Sequence, residues 1–277
     1  SDKLARAVLD QAPAALTLEG SIAMYSGGVY VADGSEFVAT VCDLLGDYFN
    51  VSYRATVKEY AASLLYREGL VLGDRSEHRM ANLPNGMLDL ATGVLKPHDP
   101  SYLSTVQLPI SWDPDAQCPR YLAWAESVGI LDQLDDLEES VSTMLDPSRT
   151  PQKAVFLYGP SRSGKSTYLR ILEAVAGASN ISAVTLQQLS TNRFMAANVY
   201  RKVLNSAADL PSPHVDDLST FKMLTGDDPI QADKKYGQQF KFRNQALFAF
   251  SANELPTVSE SSRAYAERIK PFRFGRS

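Results

Sequence analysis

The sequence is poor in the residue types that build metal and redox chemistry. Of 277 residues only two are cysteine and three histidine. Cys42 and Cys118 lie far apart, and the histidines are scattered, so no metal-ligand spacing is present and a zinc centre is not expected. Long apolar runs are also missing. The longest, such as "AVFLY" and "ALFAF", fall far short of the ~20 residues that a membrane helix needs. No N-terminal stretch has the charge-then-apolar order of a signal peptide. Taken together these absences predict a reduced, soluble, cytoplasmic protein with no membrane partner. Basic residues are scarce in the first half: ten lysines and arginines face 22 aspartates and glutamates over residues 1–150. Over residues 151–277 the balance reverses, to 17 against ten. A basic half points to an anionic partner, unless those residues merely cover solvated faces.

What is present begins with "AVFLYGPSRSGKSTYLRIL" at 154–172. Gly159, Pro160, Ser161, Arg162, Ser163, Gly164, Lys165 and Ser166 satisfy the G-x-x-x-x-G-K-[ST] pattern in full, and Thr167 follows. The pattern has a physical basis. Two glycines let the chain turn so that successive N–H groups point inward at phosphates, and the following helix adds the positive end of its dipole. Lys165 is expected at the β- and γ-phosphates of ATP, and the Ser166 hydroxyl on Mg²⁺.

Around this loop the second half predicts strand 153–158, a helix from about 165 to 177, strand 201–206, a hairpin over "IQADKKYGQQFKF" and strand 246–251. That alternation predicts an α/β fold: a P-loop sheet flanked by helices. "SRTPQK" at 148–153 carries a turn-forming proline where the charge switches, which sets the expected boundary between domains 1–147 and 148–277. The first domain reads as smaller, mixed α/β and mostly helical. "SIAMYSGGVYVADG" predicts a hairpin, "ATVKEYAASLLYREGL" a helix, "NLPNGMLDLATGVLKPHDP" hairpins and turns, and residues 121–145 one or two helices. In that domain Trp112 and Trp124 read as core residues, His98 as a turn residue and Cys118 as buried.

Hydrolysis requires an acid for water and metal, a polar group at the γ-phosphate and often an arginine. "KVLNSAADLP" ends a strand-like run on Asp209, which on local sequence alone reads first as a helix cap or turn acid before Pro211. "ALFAFSANELP" ends on Asn253, a γ-phosphate contact or a turn-forming Asn.

"FKMLTGDDPIQADKKYGQQFKFRNQALFAFSANELP" closely resembles the phage and plasmid primase-helicase family, one of the superfamily 3, AAA+-type helicases of viral and mobile-element replication. "NLPNGMLDLATGVLKPHDPSYLSTVQLPISWDPDAQCPRYLAW" is similar to the domain that precedes that helicase core. The matches run in family order over roughly residues 80–275. The resemblance implies that Asp209 handles metal and water and that Asn253 senses the γ-phosphate. It also implies that Arg268, with Arg263 a weaker match, acts in trans on a neighbouring subunit's nucleotide. The hairpin residues Lys234, Lys235 and Tyr236 are then expected in the channel of a hexameric ring, against single-stranded or forked DNA. Without the resemblance those lysines read first as solubilising edge residues.

One departure from the family stands out: its second motif usually ends in Glu, where this chain has Asp209, one methylene shorter. Asp216 and Asp217 are lower-ranked substitutes. The expected function is an ATP-hydrolysing DNA helicase core. The alternatives are a nucleotide-gated loader or origin-recognition module with little hydrolysis, and a small-molecule phosphotransferase. Neither the upstream primase domain nor the downstream winged-helix domain common in the family is recognisable. Both ends, Ser1 and Gly275-Arg276-Ser277, are compatible with a piece cut from a longer chain that works with a primase domain or replisome proteins.

Overall fold

In the first 70 residues one short three-stranded antiparallel ribbon and three helices form. The computed structural model describes residues 2–192, 194–208, 215, 217–232, 239–255 and 263–275, with only the backbone described at 263 and 264. Helix α1 (Asp2–Leu9) is followed by strands β1 (Ala14–Leu16), β2 (Ile22–Ser26) and β3 (Val29–Val31), paired antiparallel in that order. Helices α2 (Ser35–Leu45) and α3 (Val51–Arg67) complete the unit. Asn50 starts α3 by accepting the Tyr53 N–H at 2.8 Å, which satisfies one of the helix's orphan donors. Ala5, Val8, Ile22, Phe37, Val41, Val57, Ala61 and Leu65 bury the apolar faces of these elements in one local core.

A second antiparallel ribbon, β4 (Met80–Leu83), β5 (Gly86–Asp89) and β6 (Leu95–Lys96), precedes helices α4 (Pro119–Val128) and α5 (Leu134–Ser142). These do not form a core of their own. Ala81, Leu83, Leu88, Ala125, Leu137 and Val141 pack with Val155, Leu169, Leu172, Ala249 and Phe272 of the second half.

The second half is a five-stranded sheet. Its elements are β7 (Ala154–Tyr158), α6 (Lys165–Ala176), β8 (Ile181–Ser182), α7 (Leu186–Thr191), β9 (Leu204–Ala207), α8 (Ser219–Leu224), the hairpin strands β10 (Ile230–Ala232) and β11 (Phe240–Phe242), β12 (Leu247–Ala252), α9 (Arg263–Ala266) and β13 (Ile269–Arg273). The spatial order is β13-β7-β12-β9-β8, with every pairing parallel. Central strands of such a sheet are covered on both faces and read as continuous apolar runs, as β7 and β12 do. Their side chains alternate. Phe156, Phe248 and Phe250 face α7, α8 and the β10–β11 hairpin, whereas Val155, Leu157 and Ala249 face α6, α4 and α5. Each fully buried Phe contributes roughly 1.5–3 kcal/mol.

The architecture is therefore a parallel sheet between helices, preceded by a smaller mixed domain, as the sequence predicts. Several boundaries move. The strand expected at 201–206 is Leu204–Ala207, because Arg201 takes a left-handed conformation (φ 58°) that no extended strand accommodates. The strand expected from 246 begins at Leu247, because the Asn244 side chain folds forward to accept the Ala246 N–H at 2.9 Å. Strand β13 was not anticipated: its segment was read for arginines alone, and Pro271 argues against a central strand. It occupies the sheet edge, where a missing N–H is tolerated.

Two further expectations are corrected. Trp112 is 39% exposed: Asn85 grips its backbone on both sides, donating to the carbonyl and accepting from the N–H, and leaves the indole outside. Cys118, expected to be buried, is exposed ahead of α4. His98 does more than turn the chain. It bonds the Leu83 carbonyl at 2.8 Å and packs so closely on Gly28 that a Cβ there would lie 2.8 Å from the imidazole.

Candidate functional site

Parallel strands deliver their C-terminal ends to one edge of the sheet, where ligands of open α/β folds bind. Here β7 runs into Gly159, β12 into Asn253 and β9 into Ala208 along that edge. The link is tight between the first two: the Gly159 N–H donates to the Asn253 carbonyl at 3.3 Å. Asn253, chosen from a motif 90 residues away, thus lies beside the start of the glycine-bounded loop. Its side chain is exposed.

The loop itself is shaped by sterics. Gly159 has φ 142°, and a Cβ there would sit 2.0 Å from the Phe274 carbonyl oxygen, so no side chain fits. Gly164 has φ 98°, and its absent Cβ makes room for Val128 and Trp124 of α4. Arg162 also takes a left-handed conformation, at φ 63°. The chain then enters α6 at Lys165, whose first turn leaves backbone N–H groups without intrahelical partners.

Lys165 is only 5% exposed. Its ammonium donates to the loop's own carbonyls, Gly159 at 2.8 Å and Pro160 at 2.7 Å, with the Ser163 hydroxyl at 3.5 Å. A buried cation of this kind needs acceptors in place of water. Ser161, Arg162, Ser166 and Thr167 are exposed, and their side chains make no hydrogen bonds among the described residues. The loop thus holds its lysine and leaves the Ser161, Ser166 and Thr167 hydroxyls exposed.

Behind the loop lies a support that the motif does not announce. Trp124 stacks between Tyr121 (6.0 Å between ring centroids) and Tyr168 of α6 (6.2 Å). Burial pushes both phenols well above their ordinary range, with the Glu138 carboxylate adding to the shift. The expectation that Trp124 is a packing residue holds, and what it packs is the loop's own helix. On β9, Ser206 donates to Glu173 of α6 at 2.7 Å, tying the strand that leads towards Asp209 to the helix that leaves the loop.

Other predicted residues are not gathered here. Arg268 lies at the opposite edge of the sheet, just before β13, where its carbonyl accepts the Ala154 N–H at 2.8 Å. Asp217 caps the start of α8, accepting from the Ser219 N–H at 2.7 Å and from its hydroxyl, which holds its carboxyl below the usual range. Asp209, Asp216, Lys234, Lys235 and Tyr236 lie outside the described residues, as does the side chain of Arg263. Among the described residues no three His, Cys, Asp or Glu side chains cluster as metal ligands, and no helix is long and apolar enough to cross a membrane.

Two family models match the chain. The one described as a family of unknown function (DUF5906) covers residues 157–268, and the one described as D5 N terminal like covers residues 53–129. Solved structures share the fold. The A form apo structure of the NrS-1 C terminal region aligns with a TM-score of 0.61 at 12% identity, over 98% of this chain and 60% of that one. Another apo structure of that region gives 0.59 at 12%, over 98% and 61%. The chain therefore spans about three fifths of the length of the solved structures it matches. Residues 53–129 are thus similar to a D5 N-terminal-like segment, and the sheet that follows has a known relative in fold.

Proposed function

We propose that the chain is the ATP-hydrolysing core of a DNA helicase of the superfamily 3 type, serving replication of a phage or mobile element in the host cytoplasm. One observation carries this reading. The loop that satisfies G-x-x-x-x-G-K-[ST] joins a buried parallel strand to a 12-residue helix, with Asn253 hydrogen-bonded at its entrance. The D5 N-terminal-like match and the basic balance of the second half support a replication role on DNA.

The residues present fit a nucleotide triphosphate with Mg²⁺. The Gly159 cradle excludes a side chain, and the Ser166 hydroxyl is accessible at the helix start. Backbone N–H groups of 161–166 orient the phosphates, and Lys165 exchanges two carbonyl acceptors for phosphate oxygens. Mg²⁺ supplies charge neutralisation on those oxygens and is assigned to Ser166 and Asp209. Asp209 orients the attacking water, and Asn253 reports the γ-phosphate. Arg268, remote from its own loop, is assigned to the neighbouring subunit's nucleotide in a ring, hexameric by analogy. Lys234, Lys235 and Tyr236, on the connection between β10 and β11, are assigned to single-stranded DNA. The second reading, a nucleotide-gated loader with little turnover, is favoured by Asp209 standing where Glu is usual.

The test is ATP turnover with and without single-stranded DNA for the wild type, Lys165→Ala and Asp209→Glu. A motor gives DNA-stimulated turnover that the lysine variant loses, with ATP affinity falling on the order of 10- to 100-fold. Negligible wild-type turnover rescued by Asp209→Glu identifies the gated module. Turnover unaffected by Lys165→Ala removes the assignment of the site. Lys235→Ala is expected to weaken DNA binding while ATP binding stays intact.

A further inference from the structure

At the opposite edge of the sheet, where β9 and β12 begin, lies a cavity of about 250 Å³ between the sheet and the β4–β6 ribbon. By volume it has room for roughly eight waters at ~30 Å³ each. Val203 and Gln245 border it from the strand ends, Asn82 and Ser104 from the ribbon side, and Tyr102 and His78 are also part of its lining.

Several of its polar groups are committed to the fold. Asn82 donates to the Gly28 carbonyl (2.9 Å) and the Ser104 hydroxyl (3.0 Å), and accepts from Gln107 at 3.0 Å. The Ser104 hydroxyl donates to the Val106 carbonyl at 3.0 Å. Arg75 pairs with Asp227, and Asp74 accepts from the Arg243 N–H. Gln245 differs. It is only 7% exposed, yet its carboxamide has no hydrogen-bond partner among the described residues. Both of its polar atoms are accessible to water. A carboxamide with no protein partner is open to hydrogen bonding by whatever occupies the cavity.

We propose that this cavity is a recognition pocket for a neutral nucleobase, adenine being the best match, with Gln245 reading the base edge. A glutamine carboxamide offers a donor and an acceptor side by side, the complement of adenine N7 and N6. Tyr102, set edge-on against His78 at 5.5 Å between ring centroids, supplies an aromatic surface for a planar ring. The lining argues against a phosphate, because its arginine is already paired. The pocket is separate from the Gly159 loop, at the other ends of the strands, and does not depend on the function proposed for that loop.

The test titrates the full chain, in the Lys165→Ala background, with adenosine, thymidine and a short oligo-dA strand, following the Gln245 side-chain amide by NMR. Adenosine is expected to shift the Gln245 amide resonances, and Gln245→Leu to weaken adenosine at least about tenfold. ATP binding, measured with the Lys165 side chain restored, is expected to be unchanged by Gln245→Leu. If Gln245→Leu does not fold, Gln245→Glu keeps the shape, removes the donor and is expected to lose the preference for adenosine over thymidine. Oligo-dA binding more tightly than adenosine, and losing that advantage with Gln245→Leu, identifies a strand as the source of the base. Equal affinities identify a free nucleoside. A Gln245 amide that none of the ligands shifts, or adenosine affinity indifferent to both variants, overturns the proposal and leaves a water-filled void.

Discussion

The two edges of the parallel sheet are built on opposite principles. At the C-terminal edge the backbone is over-determined and the exposed side chains of the loop are uncommitted. Gly159 admits no side chain and Gly164 holds a backbone conformation that strains any other residue, while the side chains of Ser161, Arg162, Ser166, Thr167 and Asn253 are exposed and unengaged. At the N-terminal edge the side chains hold the structure. Asn244, 2% exposed, donates to the carbonyls of Leu224 (3.0 Å) and Ala246 (2.8 Å). The Thr150 hydroxyl sits 2.5 Å from the Asn244 carbonyl and 2.8 Å from the Asp227 carboxylate, its single proton serving one of them, and Arg75 closes the group. The contrast shows where a ligand finds free polar groups: the hydroxyls of the glycine-bounded edge are open to it, whereas at the other edge the fold occupies Asn244, Thr150, Asp227 and Arg75 and leaves Gln245 open.

The comparison can be broken at four points. The largest effect is expected from Gly159→Ala, whose Cβ would meet backbone rather than a movable side chain. Stability should fall by about 3 kcal/mol or more in urea unfolding, together with loss of ATP binding. An Ala variant of wild-type stability would show that the loop is not sterically fixed. Next is Asn244→Ala, which strands two buried carbonyls and the Ala246 N–H. It should cost about 2–3 kcal/mol by the same measurement while ATP affinity is retained.

Asp227→Ala should cost about 1 kcal/mol, because the carboxylate is half-exposed and its ion pair is screened. Burial raises the Asp227 pKa, but Arg75 and Thr150 hydrogen bonds and the charges of Arg75 and Arg243 outweigh it and hold the carboxyl below its ordinary value. Its contribution is therefore present above about pH 4 and lost as pH falls through the depressed native value. The variant should lie parallel to wild type from pH 5 to 8 and converge with it in acid. A constant gap down to the lowest pH would show that the carboxylate is not the stabilising group. The smallest effect on stability is expected from Ser166→Ala, within about 0.5 kcal/mol of wild type, although Mg²⁺-dependent turnover should collapse. A large loss of stability there would erase the distinction between the edges.

Much of the site was legible because its signals are local. The glycine-bounded loop, its strand and its helix lie within 23 residues, and a steric requirement at two glycines shows directly in the residue types. Asn253 was legible as a strand end. The long-range support was not. Trp124 reads as any apolar helix residue, and nothing near it specifies stacking on Tyr168. The Thr150–Asp227–Arg75 group joins three segments with no shared pattern. Gln245 was passed over because an isolated glutamine between two apolar runs carries no periodic or motif signal.

The sequence by itself determined the alternation of apolar strands with amphipathic helices, and hence a parallel sheet with its loops delivered to one edge. That information is short-range: periods of two and 3.6 residues, and residue types that only one backbone conformation tolerates. Tertiary structure alone decided the strand order β13-β7-β12-β9-β8, which seats Asn253 beside Gly159 and sends Arg268 to the far edge. It also decided that residues 81–145 complete the sheet's core rather than their own. Both follow from which buried faces meet, and complementarity between surfaces distant in the chain is written in no single segment.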